Sequence, residues 1–282
     1  MLIIDLQQIA IANLMAQLGQ HTNAQLQPDM LRHLILNSLR SIRKKFGGEY
    51  GEMVVATDNR HSWRKDIFPQ YKASRKSGRA KSEMDWGMIF DTLAQLREEL
   101  RDNFPYRVIH VDGCEADDVI GTLCEQFGNE SDMAFGESIL IVSGDKDFRQ
   151  LQKYGNVSQY DPTRKKWITE SDPRGYLREH VMRGDVGDGV PNVLSDDDTF
   201  VNPEKRQTPL TAKKLKQLLD STLMDRNVER NRTMIDLSYT PQRLKDEVID
   251  QYEAQAGKGR DKIFPYFMKH RLKNLTELLG DF

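Results

Sequence analysis

Four short apolar runs in this 282-residue chain each lead into an acid, and nothing else in the sequence constrains the fold as strongly. They are Leu2-Ile3-Ile4-Asp5, Met53-Val54-Val55-Ala56-Thr57-Asp58, Val108-Ile109-His110-Val111-Asp112-Gly113-Cys114-Glu115 and Ile139-Leu140-Ile141-Val142-Ser143-Gly144-Asp145. Short β-prone runs bounded by Gly or Asp read as strands buried on both faces, as in a parallel sheet. Ligands of an open parallel sheet bind at the carboxyl ends of its strands. An acid at each such end gathers negative charge in one cleft, where the carboxylates stay ionised together only if divalent cations neutralise them. The chain is therefore expected to hold metal.

The intervening segments carry helical periodicity. Pro28 opens a helix whose apolar face is Leu31, Leu34, Ile35, Leu39, Ile42 and Phe46, and Gly47-Gly48 is expected to end it. A second stripe runs through Trp86, Ile89, Phe90, Leu93, Leu96 and Leu100, and a third helix beginning near Glu115 carries Val119, Ile120 and Leu123. These stripes read as plain core. The repeated β-α-β order predicts an α/β fold, a doubly wound, mostly parallel sheet with right-handed crossovers. Beyond about residue 170 helical periodicity takes over, with helices expected over Thr211–Leu223 and Pro241–Gln255. The expected division is an α/β catalytic domain over 1–170 and a helical region over 171–282 packed on it.

Charge narrows the function. Overall 41 basic residues balance 43 acidic ones, yet from Arg60 to Lys81 there are eight Lys or Arg and a single acid, Asp66. A basic segment beside an acidic metal cleft points to a polyanion substrate and metal-assisted chemistry at its phosphates. Cys114 and Cys124, the only cysteines, have no CxxC partner and no His at zinc spacing, which predicts a reducing cytoplasm and no disulfide framework. No apolar run is long enough to span a membrane, and the first one is broken by Asp5 with no basic stretch before it, so no signal peptide is expected.

Glu115 and Asp117 sit where a strand turns into a helix; Asp145 and Asp147 lie two apart at a strand end; Asp185 and Asp188 lie three apart in a Gly-rich turn. With Asp5 and Asp58 they give eight oxygen donors and no obvious thiolate or imidazole set. All-oxygen ligation selects Mg²⁺, with Mn²⁺ as its substitute, over zinc. Two such ions about 4 Å apart activate a water and stabilise the leaving oxygen of a phosphodiester. Any one Asp taken alone reads as a cap or turn former; caps need no common cleft, and the joint pattern is what outweighs that reading. Asp118 is expected to be structural, Asp112 a turn residue, and Asp196-Asp197-Asp198 a solvated loop. The basic segment reads either as a solvated face with Trp63 and Phe68 buried or, from its place directly after the acid of strand two, as a substrate contact in which Lys72 and Arg64 meet the scissile phosphate and Tyr71 stacks on an unpaired base.

Six motifs in order carry a resemblance over almost the whole chain. They are Ile4-Asp5; Thr57-Asp58-Asn59; Trp63-Arg64 followed by Tyr71-Lys72-Ala73-Ser74-Arg75; Glu115-Ala116-Asp117-Asp118; Ser143-Gly144-Asp145-Lys146-Asp147-Phe148; and Gly184-Asp185 with Asp188. The chain resembles the 5′-nuclease (flap endonuclease) superfamily. The resemblance implies one metal site near Asp5, Asp58, Glu115 and Asp117, and a second near Asp117, Asp145, Asp147 and Asp188 with Asp185 close by. It implies a helical arch near 60–85 through which a single-stranded 5′ end passes, with Arg64, Tyr71, Lys72 and Arg75 at its base and Lys76 beside them on the nucleic acid. It further implies DNA and RNA–DNA hybrids with 5′ ends or flaps as substrates, primer and flap removal during replication, replication proteins as partners, and a cytoplasmic monomer, in host cytoplasm if the chain is viral. Many members follow the Gly-Asp-x-x-Asp turn with a Gly-x-Gly hairpin that grips duplex phosphates and a potassium ion. Here Gly189-Val190-Pro191-Asn192-Val193 leads instead into an acidic loop, which leaves duplex binding to Lys205, Arg206, Lys213, Lys214 and Lys216.

The residues disfavour two rival readings. A haloacid-dehalogenase-like phosphotransferase needs a second Asp two positions after the first, and Gln7 stands there. A non-catalytic, structure-specific DNA-binding protein is expected to lack some of the acids, and none is missing.

Overall fold

The computed structural model describes residues 1–18, 27–80, 82, 84–129, 137–221 and 225–282, apart from the side chains of 76–78 and 80. Its sheet has six strands, β1 (Leu2–Asp5), β2 (Met53–Ala56), β3 (Arg107–Ile109), β4 (Ile139–Val142), β5 (Val157–Asp161) and β6 (Lys166–Ile168), in the order β3-β2-β1-β4-β5-β6. The first five are parallel; β6 runs antiparallel to β5. The chain winds outward from β1 in one direction and then in the other. The point where it reverses, between β1 and β4, is where a crevice opens at the strand ends.

Helices α1 (Leu6–Leu18) and α2 (Pro28–Tyr50) link β1 to β2. Short helices α3 (Arg64–Ile67) and α4 (Ala73–Ala80) and the long α5 (Trp86–Asn103) lead to β3, and α6 (Ala116–Phe127) leads to β4. A 3-10 helix over Lys146–Lys153 precedes β5. The remainder is α7 (Pro173–Arg183), α8 (Ala212–Asp220), α9 (Arg226–Ile235), α10 (Gln242–Ala254), α11 (Ile263–Lys269) and α12 (Lys273–Thr276).

Strand alternation feeds two cores. Leu2, Ile4, Met53, Val55, Leu140 and Val142 face α1, α2, α5 and α11, with Phe282 packed among them. Ile3, Val54, Ala56, Ile109, Ile139 and Ile141 face α6 and α10. Strands β1, β2 and β4 are buried on both sides, which is why their sequences are continuously apolar. The chain returns to both faces after residue 240, so Val248 packs in one core and Phe267 and Leu275 in the other. A third cluster joins Phe68 and Tyr71 to Val181, Val190, Val193, Val228 and Met234, fastening the basic segment to α7 and α9.

Several expectations are corrected. Helix α2 runs through Gly47-Gly48 to Tyr50, because Phe46 and Tyr50 bury in the core and Gly51, at φ +75°, supplies the left-handed residue that stops it. Helix α1 and strands β5 and β6 were not foreseen. Strand β3 ends at Ile109, so Asp112 and Glu115 belong to the loop beyond it. The helix expected over Thr211–Leu223 is observed over Ala212–Asp220, residues 222–224 lying outside the described residues. Among the described residues no helix is long and apolar enough to cross a membrane.

Candidate metal centre

Local chemistry fixes each acid. Asp5, the last residue of β1, caps α1 by accepting the Gln8 N–H at 3.0 Å, and Ser143 Oγ donates to its other oxygen at 3.1 Å. Asp58, two residues past β2, accepts the Ala116 N–H at 2.6 Å and so joins its loop to the start of α6. Glu115 is the N-cap residue of α6 and Asp117 stands in its first turn. Asp145 caps the 3-10 helix by accepting the Asp147 N–H at 2.9 Å. Gln159 of β5, fully buried, donates to the carbonyls of Ser143 (3.0 Å) and Asp145 (2.6 Å) and holds that loop over the sheet. Asp185 and Asp188 sit in a turn closed by the bridge between Asp185 and Val190, where Asp185 Oδ1 accepts the Gly187 and Asp188 N–H groups at 2.8 and 3.2 Å.

These acids feel one another. Burial pushes the Asp5 carboxyl up to about 7, with Asp58 and Asp145 adding to it. Burial likewise raises Asp58, more than Lys72 and the Ala116 N–H lower it. Asp117 is raised well above the carboxylate range by burial and by Asp145, Glu115 and Asp5. Asp147 is raised well above it by burial and by Asp145, Asp185 and Asp188. A buried set of carboxyls that repel one another is what a divalent cation relieves. One oxygen of Asp147 is buried and has no hydrogen-bond partner among the described residues. The donor chemistry therefore fits a hard divalent ion.

The cations lie differently from expectation. Arg64 is only 1% exposed, its guanidinium 2.9 Å from Asp118 and 3.5 Å from Glu115, with Nε donating to the Met234 carbonyl. It cannot reach a phosphate in that position, so its catalytic assignment is corrected to a structural one. Tyr71 is 2% exposed and its hydroxyl lies 2.9 Å from carboxylate oxygens of both Glu115 and Asp188, which share its one proton, and its burial leaves no free face for a base. It links the α6 acid to the turn acid instead. Lys72 does border the cleft: Nζ lies 2.6 Å from Glu115 and 3.5 Å from Asp188, and its N–H donates to the Asp188 carbonyl at 2.7 Å. Its backbone takes φ +55°, a conformation a lysine adopts only when its surroundings hold it there. Burial alone would push the Glu115 carboxyl up, but Lys72 and Arg64 outweigh it and hold it at about 2. Arg75, its side chain 44% exposed, pairs with Asp188. The side chain of Lys76 lies outside the described residues.

Asp118 is fully buried and accepts from Trp63 Nε1, Arg64, Thr240 Oγ1 and the Glu115 N–H, which makes it structural as expected. Trp63 and Phe68 are buried. The acidic loop is not merely solvated: Asp197 pairs with Arg226 and with buried Arg230, while Asp196 and Asp198 pair with Lys205, which is thereby occupied at home. Lys213, Lys214 and Lys216 are exposed on α8. The absence of an imidazole is also corrected. His180, near the end of α7, lies between Asp147 and Asp185. Its place five residues before Asp185 marks no ligand in the sequence by itself.

Known proteins resemble this chain over most of its length. Residues 1–180 match the family model of the 5′-3′ exonuclease N-terminal resolvase-like domain, and residues 176–282 that of the T4 RNase H C-terminal region. Ribonuclease H of Enterobacteria phage T4 is 32% identical, the match covering 99% of this chain and 95% of that one. A flap endonuclease Xni from Shewanella is 31% identical over 47% of this chain and 48% of its own length. Among solved structures, bacteriophage T5 5′-exonuclease with bound zinc superposes with a TM-score of 0.61 at 18% identity, covering 90% of this chain and 99% of that one. The T5 flap endonuclease in a complex with DNA and metal ions gives a TM-score of 0.59, also at 18% identity, over 90% of this chain and 98% of that one.

Proposed function

This chain belongs to the 5′-3′ exonuclease family, and on that premise we propose that it is a metal-dependent 5′→3′ exonuclease and flap endonuclease that removes RNA primers and 5′ flaps during DNA replication. The observation that carries the reading is the convergence of Asp5, Asp58, Glu115, Asp117, Asp145, Asp147, Asp185 and Asp188 at one end of the sheet, beside a basic segment hydrogen-bonded to them. Asp5, Asp58 and Asp117 would hold one Mg²⁺, with Glu115 behind them; Asp117, Asp145, Asp147, Asp185 and Asp188 would hold another. Such ions supply Lewis acidity and a nucleophilic water for phosphodiester hydrolysis.

The protein groups do the rest. Lys72 offers a cation to the phosphate that enters, where charge grows in the transition state. Arg64 and Tyr71 keep Glu115 and the arch base in register. Arg75, Lys76 and the exposed Lys213 and Lys214 attract the strand and duplex. Residues 1–170 form the catalytic unit and 171–282 the DNA-binding region, a division close to the 176–180 overlap of the two family models. Its substrates are DNA and RNA–DNA hybrids with free 5′ ends, it works as a cytoplasmic monomer, and it acts alongside replication proteins.

The test is cleavage of a 5′-labelled flap duplex with Mg²⁺ present or chelated. The expected result is metal-dependent cutting near the junction, lost in Asp117→Asn while flap binding persists. Full cutting by Asp117→Asn would remove the assigned centre. Tight binding without cutting under either condition would make the chain a DNA-binding protein.

A further inference from the structure

His180 is 7% exposed and, among the described residues, neither ring nitrogen has a hydrogen-bond partner. Nδ1 lies 3.6 Å from an Asp147 oxygen and Nε2 lies 3.3 Å from Asp185 Oδ2. A charged pair held by hydrogen bonds closes to about 2.7–2.9 Å. Both contacts here are too long for that, although the ring is wedged between two acids and backed by Tyr176, whose centroid is 5.7 Å away. A buried polar group left unpaired costs free energy unless another partner takes it up. The buried Asp147 Oδ1 faces the same deficit.

One donor atom from each of Asp147, His180 and Asp185 lies within 4.8 Å of the others. Two metal–ligand bonds of about 2.1 Å span about 4.2 Å, so a small inward movement closes the three on one ion. We propose that His180 is a metal ligand of this chain, and that Asp147, His180 and Asp185 form a mixed nitrogen–oxygen site that takes Mn²⁺ in preference to Mg²⁺. Imidazole suits transition ions, whereas Mg²⁺ favours oxygen alone. The inference rests on the metal-dependent reading above and changes the character of one of its ions.

The fold presents the ring by a short path. α7 ends at Gly184, whose φ of +68° turns the chain so that Asp185 comes back alongside His180. Lys146 Nζ sits 2.7 Å from Asp185 Oδ2 and holds the place of a cation there. Its side chain is half exposed, so it has room to leave for solvent when an ion binds.

The test is pulsed electron paramagnetic resonance on the full chain loaded with Mn²⁺, which detects nitrogen bound to the metal and needs no turnover. The wild-type protein is expected to show ¹⁴N modulation that converts to the ¹⁵N pattern when only histidine is ¹⁵N-labelled. His180→Gln is expected to lose the modulation while Mn²⁺ remains at the all-carboxylate positions. Bound Mn²⁺ without nitrogen coupling in the wild type would overturn the ligand assignment and leave the carboxylate centre standing. Coupling that persists in His180→Gln would assign the nitrogen elsewhere and overturn it too. No bound Mn²⁺ at all would overturn both this inference and the metal-dependent reading beneath it. The isotope comparison is made on unmutated protein, so a variant that failed to fold would not blunt the test.

Discussion

Arg64 is one of the largest side chains with almost no solvent contact, and it neutralises Asp118 inside the protein. Removing one partner of a buried pair leaves the other charged and unsolvated, which costs about 3–5 kcal/mol. Arg64→Ala is therefore expected to lower the free energy of unfolding by that amount, read as a fall in the urea midpoint at unchanged slope, with residual cleavage tracking the folded fraction. An unchanged midpoint with lost cleavage would return Arg64 to the phosphate. The positions of Asp5, Asp58, Glu115, Asp117, Asp145 and Asp147 were legible in the sequence because each follows a strand or opens a helix, whereas Asp185 and Asp188 stand in a turn after α7 and were marked only by its glycines. The burial of Arg64 and Tyr71 was not. Their partners Asp118 and Asp188 lie 54 and 117 positions away, a pairing that only the packed chain reveals. His180 was missed for a related reason: a lone histidine near a helix end carries no spacing that marks a ligand until the turn after it is folded.

At the scale of elements, the turn from Gly184 to Val190 carries two of the eight acids and is sterically closed. A Cβ at Gly184 would come within 2.4 Å of the Val190 carbonyl oxygen, on a residue already at φ +68°. The turn cannot keep its path with a side chain there, so Gly184→Ala is expected to displace Asp185 and Asp188. Cleavage should then need at least about tenfold more metal, the scale on which support for metal ligands acts. A titration of rate against Mg²⁺ checks this, and an unmoved midpoint would mean the turn does not position ligands. The parallel strands β1 to β4 were legible as continuous apolar runs with turn residues after them. Strand β5 was hidden because its buried positions include Gln159, which is kept polar to hold the Asp145 loop. Helix α1 lacks the alternation of apolar and polar faces that marks a surface helix, and its one signal was the Asp5-to-Gln8 cap. The Gly47-Gly48 pair misled because glycine inside a helix is costly, and the burial of Phe46 and Tyr50 outweighs that cost.

For the whole molecule, the clustered acids make stability depend on pH and metal together. Without metal, Asp5 (about 7), Asp58, Asp117 and Asp147 all titrate above their unfolded values, so the folded state keeps protons that the unfolded chain has released. Stability then falls as pH rises from about 4 through 7, since it drops wherever the native state binds more protons. Glu115 acts in the opposite sense. Held at about 2, it contributes stability that is present above its unfolded value and lost as pH falls toward 2. The metal-free protein should therefore be most stable near pH 4–5 and weaken toward pH 8. An ion that binds only the folded state adds about 2.7 kcal/mol at a hundred times its Kd, and it binds deprotonated acids, so its benefit must grow with pH. Melting temperatures measured in EDTA and in excess Mg²⁺ from pH 5 to 8 decide the matter. The EDTA series should decline across that range while the Mg²⁺ series stays nearly level, so that the gap is widest at pH 8. A flat EDTA series, or a gap as wide at pH 5 as at pH 8, would mean that these carboxyls do not share the repulsion from which the metal centre was inferred.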